Sequence, residues 1–167
     1  WQESPDSIKL EFGFCYEGNE PALFATPFSA SLTIVLSAQL DLSLHIHNTA
    51  SCAQEFSWAL HSYFAVDDCS HSTVSGLDGL TYLDNTQGLQ AQQQQGPVQF
   101  LAEIDRVYTR TLAAQQIHAG HTLAINGEHC PTCIVWNAGA TAAANMTDIG
   151  AAYRGELTVA KAPELGG

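Results

Sequence analysis

Alternation of apolar and polar residues is the feature that most restricts the fold of this chain. In Leu40–His47, leucine or isoleucine stands at every even position and aspartate, serine or histidine at every odd one. Successive side chains of a β-strand point to opposite faces of its sheet, so the pattern predicts a strand with one face on a core and one in water. Ile8–Phe14 alternates in the same way, and Phe28–Leu36 reads as a further strand.

The rest of the chain predicts more short strands, separated by turns that contain Gly, Asn, Asp or Pro. They are Phe56–Val66, Ser72–Leu77, Val98–Ile104, Val107–Leu112, Thr122–Ile125, Cys133–Trp136 and Leu157–Ala160. This arrangement is typical of an all-β sandwich or barrel, and the length predicts one globular domain over residues 1–167. The glutamine-rich Gln90–Gly96 is expected to be an exposed loop that adds nothing to the core.

Charge and composition exclude several classes of function. The net charge of −12 includes only five Lys and Arg, which excludes broad electrostatic binding to nucleic acid or to an anionic membrane surface. No apolar run approaches membrane-spanning length. Five widely spaced cysteines argue against a disulfide framework, so we expect a cytoplasmic protein.

His61 is the first candidate for chemistry. It stands in an apolar and aromatic run, Trp58–Val66, that ends in the carboxylates Asp67 and Asp68. A histidine held against aromatic rings and partly shielded from water is suited to proton transfer near neutral pH. A histidine without a catalytic role at the end of a strand fits the same residues.

Asp105 and Arg106 form the second candidate, within the segment Glu103–Tyr108. A carboxylate beside an arginine and a tyrosine can present a hydrogen-bond acceptor to a sugar hydroxyl. An ordinary surface ion pair is an equally good interpretation of these residues.

Other constellations are weaker. The residues His118, His121, His129, Cys130 and Cys133 are of the types that bind zinc. Their spacing is irregular, however, and we expect no metal. There is no phosphate-binding glycine loop and no Gly-x-Ser-x-Gly motif, so nucleophilic catalysis has no support.

Taken in order, several segments resemble the aldose 1-epimerase (galactose mutarotase-like) superfamily, and within it the hexose-6-phosphate mutarotase, or glucose-6-phosphate 1-epimerase, branch. Leu60-His-Ser-Tyr-Phe64 is similar to the family's Leu-His-Thr-Tyr-Phe. The other matching segments are Asn48-Thr49, Val74-Ser-Gly-Leu77 with Tyr82 and Asp84, Asp105-Arg-Val-Tyr108, and Val135-Trp-Asn-Ala-Gly139.

The resemblance implies an all-β fold, a single antiparallel β-sandwich domain of the galactose mutarotase type over residues 1–167, which lacks the N-terminal part of the family fold. It also implies a cofactor-free epimerase that interconverts the α and β anomers of a hexose or hexose 6-phosphate. His61 would protonate the ring oxygen of the sugar, Asp105 and Arg106 would bind the substrate, and a glutamate near the C-terminus would act as the base.

This sequence departs from the family pattern in three ways. Ala160 stands where the catalytic glutamate is expected, and Glu156 and Glu164 lie about 13 Å from that position along a regular strand. The family's N-terminal segment, with its phosphate-binding arginines, precedes Trp1, and the acidic chain suits a phosphosugar poorly.

These departures support an alternative function, a non-catalytic carbohydrate-binding or regulatory relative. The absent strands would also leave sheet edges open, so we expect the chain to self-associate through those edges or to be one piece of a longer protein.

Overall fold

The structure is a computed structural model that describes residues 1–19, 24, 26–111, 114–146 and 159–166, the last range by its backbone alone. The chain divides into two compact units, Trp1–Phe56 and Ser57–Gly167, which are described separately. The single domain predicted over residues 1–167 stays a prediction.

The first unit is a four-stranded antiparallel sheet in the order β1-β2-β3-β4. The register is continuous over nine pairs on either side of β3. All three strands predicted for this region are confirmed. The bounds are β1 Gln2–Ser4, β2 Ser7–Tyr16, β3 Phe28–Leu36 and β4 Leu40–Asn48.

The alternation in this sheet sorts the residues by face but does not bury them. The register places the even-numbered apolar residues of β4 in line with those of β3 and β2, as in the row Phe12, Leu32 and Leu44. None of the described residues of the first unit is buried, however, and Leu40 is 58% exposed. The predicted apolar face therefore exists, and the expectation that it lies on a core is wrong for this unit.

The second unit contains two antiparallel sheets. One has the order β10-β7-β12-β13, and the other has the order β5-β15-β14-β11-β8-β9, with β6 also paired to β15. The bounds are β5 Ala59–Leu60, β6 Tyr63–Ala65, β7 Thr73–Ser75, β8 Thr81–Asp84, β9 Gln90–Gln93, β10 Val98–Gln99, β11 Ile104–Tyr108, β12 Gln115–His118, β13 Thr122–Ile125, β14 Thr132–Asn137 and β15 Val159–Gly166.

A single buried cluster joins these two sheets. Val74, Val98 and Ile117 from the smaller sheet share it with Tyr108 and Val135 from the larger one, and each is at most 1% exposed. The two sheets of this unit are therefore layers of a sandwich, and the predicted all-β antiparallel fold is confirmed.

Three predicted features of this unit differ in the structure. The strands predicted over Val98–Ile104 and Val107–Leu112 are wrong in their bounds, because Val98–Gln99 forms β10 and Ile104–Tyr108 forms the single strand β11. The strand predicted over Phe56–Val66 is interrupted at His61 and Ser62, which separate β5 from β6. The glutamine-rich segment is not a loop, because Gln90–Gln93 forms β9 against β8. A glutamine run lacks an apolar pattern, but its backbone can still pair with a neighbouring strand at the edge of a sheet.

The α-helix in the described part of the chain, α1, spans only Gly139–Ala143. Within the described ranges no helix has the length and apolar character needed to cross a membrane.

Candidate active site

The larger sheet of the second unit has one face on the core and one open face. Alternate positions of β11 and β14, such as Tyr108 and Val135, are buried, and the positions between them are only partly buried. Directly paired residues of antiparallel strands share a face. The open face, as named here, comprises the two pairs Asp105–Trp136 and Val107–Ile134.

Asp105 is held on the open face by the residue that follows β8. The side-chain amide of Asn85 donates a hydrogen bond to Oδ2 of Asp105 at 2.7 Å. Asn85 begins a short 3-10 turn whose N-cap, Asp84, accepts hydrogen bonds from the backbone and hydroxyl of Thr86 at 3.0 and 2.6 Å. The turn therefore fixes Asn85, which orients the Asp105 carboxylate. A carboxylate has about four acceptor positions, so Asp105 retains capacity for a ligand hydroxyl.

His61 lies in the break between β5 and β6. Its side chain is exposed, as are those of Ala59 and Tyr63, whereas Leu60 and Phe64 are partly buried and Phe64 packs against the core. The apolar residues around His61 therefore turn away from it, and the expectation that they shield it from water is wrong. The histidine is therefore exposed in the break between the two strands.

A row of paired positions connects this segment to Asp105. Tyr63 pairs with position 161 of β15, position 161 pairs with Trp136, and Trp136 pairs with Asp105. The row places Tyr63, Trp136 and Asp105 on one face, with His61 two residues from Tyr63. Three strand spacings of about 4.8 Å separate β6 from β11, or about 14 Å in all. The structure thus places Tyr63, Trp136 and Asp105 on one face of the sheet and His61 in the break that precedes Tyr63.

Arg106 lies on the opposite face from Asp105. Its guanidinium donates a hydrogen bond to Oε1 of Gln94 at 2.8 Å and lies 4.7 Å from the ring centre of Tyr82. Tyr108 donates to the same Gln94 oxygen at 2.7 Å, and burial raises the pKa of its phenol above the usual range. Asp105 and Arg106, predicted together as substrate-binding residues, are therefore separated by the sheet.

The carboxylate that follows His61 in the sequence has a local structural role. Asp68 caps the 3-10 turn Cys69–His71, where its Oδ1 accepts hydrogen bonds from the backbone and hydroxyl of Ser70 at 2.8 and 2.7 Å. These bonds, together with His71, lower the pKa of Asp68 to about 2. Asp68 is thus a capping residue.

The register of β15 determines which of its positions are aligned with the open face. Ala160 pairs with Phe64, which packs against the core, whereas position 161 pairs with Tyr63 and Trp136. The pairing shifts between Ile134 and Trp136, so that position 164 pairs with Ile134 of the open face. Position 165 pairs with Leu60, the residue before His61. The shift therefore brings the backbone of Glu164 to the level of the break that carries His61.

Three residues important to this site were missed by sequence reasoning. Asn85 follows an Asp and precedes a Thr, a typical start of a helical turn, and that signal could have identified it. Trp136 was predicted as the end of a strand and as part of a segment that resembles the family, and neither pattern indicated a role in binding. Gln94 is 4% exposed, but no pattern in a glutamine run distinguishes it from its neighbours.

Gly139 explains the turn that ends the Val135–Gly139 segment. Its φ is +62°, and its backbone N–H donates to Oδ1 of Asn137 at 2.9 Å. A Cβ at this position would lie 2.7 Å from the backbone nitrogen of Glu103. Only glycine therefore fits beside the segment that leads into β11.

Comparison with known proteins assigns the family. A sequence model described as aldose 1-epimerase matches residues 1–160. The chain is 34% identical over 141 residues to the "Putative glucose-6-phosphate 1-epimerase" of Cenchrus ciliaris, an alignment that covers 79% of this chain and 43% of that protein. The chain belongs to the aldose 1-epimerase family.

Solved structures share the fold. A "putative mutarotase (YeaD)" from Salmonella typhimurium matches 99% of this chain and 54% of its own with a TM-score of 0.81 and 22% identity. The Slr1438 protein from Synechocystis sp. PCC 6803 matches 98% of this chain and 53% of its own with a TM-score of 0.74 and 17% identity. The chain therefore has the mutarotase-type β-sandwich fold and spans about half the length of these relatives.

Proposed function

We propose that this chain provides a mutarotase-type site that interconverts the α and β anomers of a hexose or hexose 6-phosphate. The observation that carries the proposal is the row of Tyr63, Trp136 and Asp105 on one face, with His61 beside it. Such a face offers an aromatic surface and a carboxylate side by side, the combination that a sugar ring requires.

Trp136 and Asp105 would hold the sugar. The apolar face of a pyranose stacks on an aromatic ring, and an oriented carboxylate accepts hydrogen bonds from adjacent hydroxyls. Because Asn85 fixes Asp105 in advance, less side-chain freedom is lost when the sugar binds.

His61 would act as the general acid. Its imidazolium donates a proton to the ring oxygen while a base removes the proton from the anomeric hydroxyl, and the bond from C1 to the ring oxygen breaks. Rotation about C1–C2 in the open aldehyde exposes the other face of C1. Reclosure returns both protons and gives the other anomer, so the reaction needs no co-reactant.

We assign the base to Glu164. In the register of β15, position 160 is aligned with the core side and position 164 with Ile134 of the open face. A glutamate four residues after the expected position could therefore replace the missing carboxylate, because the strand is shifted rather than regular. Histidine and carboxylate would then approach the sugar from neighbouring strands.

Ala160 favours a second candidate function, a carbohydrate-binding relative without catalysis. It would use Trp136 and Asp105 in the same way and lack only the base. In either case we propose a reducing compartment such as the cytoplasm, since all five cysteines are free.

Anomer exchange measured by proton NMR on glucose and glucose 6-phosphate tests these proposals. We expect exchange above the spontaneous rate and a loss of at least 100-fold in His61→Ala and Glu164→Gln. His45→Ala, an exposed histidine on β4, is the matched control and should retain full activity. If only His61→Ala loses activity, the base is not Glu164.

Exchange at the spontaneous rate in every protein would reject the epimerase proposal. Saturation-transfer NMR with the same sugars would then decide the second candidate. Binding that is lost in Trp136→Ala supports a carbohydrate-binding protein, and the absence of binding rejects it.

A further inference from the structure

The smaller sheet of the second unit has a polar face on the side away from the core. Val74 and Ile117 point into the buried cluster, so their neighbours along each strand point outward. The outer face, as named here, has Thr73, His118 and Thr122 in one paired row and Ser75, Gln116 and Ala124 in the next. These side chains are partly buried or exposed, and they include the hydroxyl and imidazole groups on which nucleophilic catalysis depends.

His118 joins a serine and a threonine from the two neighbouring strands. Its Nε2 lies 3.1 Å from Oγ of Ser75 on β7, and its Nδ1 lies 3.2 Å from Oγ1 of Thr122 on β13. With the ring proton on Nδ1, the imidazole donates a hydrogen bond to Thr122 and accepts one from the Ser75 hydroxyl. A nucleophile within hydrogen-bond reach of a base, with a third group that orients the base, is the arrangement that activates a serine.

Gln116 adds a hydrogen-bond donor beside Ser75. The two residues are directly paired, which places their Cβ atoms about 5 Å apart on the outer face. The side chain of Gln116 is exposed, and its amide can donate to an oxygen on the carbon that Ser75 attacks. Side-chain amides stabilise developing oxyanions in this way in acyl-transfer enzymes. The outer face thus carries a nucleophile, a base, an orienting group and a donor for the oxyanion.

We propose that Ser75 is the nucleophile of a second catalytic site, which hydrolyses small neutral carboxylic esters. Oγ of Ser75 bonds to the ester carbonyl carbon while its proton passes to Nε2 of His118, and Gln116 donates to the carbonyl oxygen. The bond from that carbon to the leaving oxygen then breaks, and His118 protonates the leaving oxygen. Water attacks the acyl-serine with His118 as the base, which releases the carboxylic acid and restores Ser75.

The chemistry of the outer face defines the substrate class. Hydroxyl, amide, imidazole and methyl groups occupy the six positions of its two rows, without a carboxylate or an ammonium group. A neutral ester is therefore favoured, since a charged one gains no ion pair in these rows. The buried cluster separates this face from the sheet that carries Asp105, so the proposal does not depend on the proposed sugar site. Sequence motifs missed the site because Ser75 and His118 are 43 residues apart.

Labelling of the full chain with a fluorophosphonate, followed by peptide mass spectrometry, tests the nucleophile. The serine oxygen displaces fluoride from phosphorus and keeps the phosphonyl group. We expect Ser75 to be labelled about tenfold or more faster than Ser43, an exposed serine two residues before His45 on β4, and His118→Ala to lose this difference. A wild-type chain in which Ser75 is unlabelled, or is labelled no faster than Ser43, overturns the proposal.

Hydrolysis of p-nitrophenyl acetate, followed by release of p-nitrophenol, tests the orienting role of Thr122. Thr122→Val keeps the shape of the side chain and removes its hydroxyl, so we expect ester hydrolysis to slow about tenfold or more. Thr122→Ser retains the hydroxyl and should restore the rate to within about twofold, and urea unfolding of both variants checks that the fold is kept. Equal rates in Thr122→Val and the wild type, or hydrolysis that persists in Ser75→Ala, would overturn the proposal.

Discussion

Asn85 donates a hydrogen bond of 2.7 Å to Oδ2 of Asp105, from the end of β8 to the neighbouring strand β11. A hydrogen bond to a charged acceptor is stronger than one between neutral groups, so Asn85 orients Asp105, the carboxylate that we propose binds the sugar. Asn85→Asp replaces this donor with a second negative charge. We expect sugar affinity, measured by NMR titration, to fall about tenfold.

The matched control is Asn126→Asp, which adds the same charge in the exposed loop after β13. Its sugar affinity should stay within twofold of the wild type. Equal affinity in the two variants would show that Asp105 does not contact the sugar.

Because Asp105 and Arg106 lie on opposite faces of the sheet, we expect substitutions of the two residues to change different properties, sugar affinity for Asp105 and stability for Arg106. Asp105→Asn should weaken sugar binding about tenfold, with little change in unfolding free energy, because its side chain is on the open face. Arg106→Lys should leave sugar affinity within twofold and cost about 1–2 kcal/mol in stability, since lysine does not reproduce the guanidinium's bond to Gln94 and its stacking on Tyr82. Sugar titration and urea unfolding of each variant measure both quantities, and the opposite pattern would return Arg106 to the binding site.

Gln94 is the acceptor that Arg106 and Tyr108 share beneath the sheet. Gln94→Ala removes that acceptor from a buried position, and each abandoned donor costs about 1–3 kcal/mol, so we expect a loss of about 2–4 kcal/mol in urea unfolding. Gln95→Ala, at the exposed neighbouring position, should change stability by less than about 0.5 kcal/mol. Similar losses of unfolding free energy in both variants would mean that the backbone of this segment, and not the Gln94 side chain, contributes the stability.

Alanine substitutions at two glycines with nearly equal φ distinguish the cost of backbone strain from the cost of steric contact. Gly88 and Gly139 have φ of +67° and +62°, but a Cβ meets nothing within 4 Å at Gly88 and lies 2.7 Å from backbone at Gly139. Gly88→Ala should cost about 1 kcal/mol in unfolding free energy, the cost of left-handed backbone for alanine. Gly139→Ala should cost roughly 2 kcal/mol more, because the backbone near Glu103 must move. Equal losses would show that the close approach to Glu103 is easily relieved.

The sequence could predict the strands of the first unit because a period of two residues determines which face each side chain occupies. It could not predict that large apolar residues of this unit, such as Phe12 and Leu40, are exposed in the structure, since burial depends on what packs against a sheet. The same period of two residues places Asp105 and Arg106 on opposite faces. The family motif contains them as adjacent residues, and for that reason both were predicted to bind the substrate. The place of Gln94 depends on long-range pairing with β8 and on two donors, Arg106 and Tyr108, that follow it in the chain.

The cysteines offer a test of burial across both units. Burial raises the pKa of Cys69 to about 11 and that of Cys133 to about 12, whereas Cys15 and Cys52 are exposed. The thiolate is the reactive form, and at pH 8 a thiol of pKa 11 is only about 0.1% ionised. With iodoacetamide at pH 8, followed by peptide mass spectrometry, we expect Cys15 and Cys52 to be alkylated at least tenfold faster than Cys69 and Cys133. In urea all four should react at similar rates, and rapid native labelling of Cys133 would contradict the packing of β14 against the core.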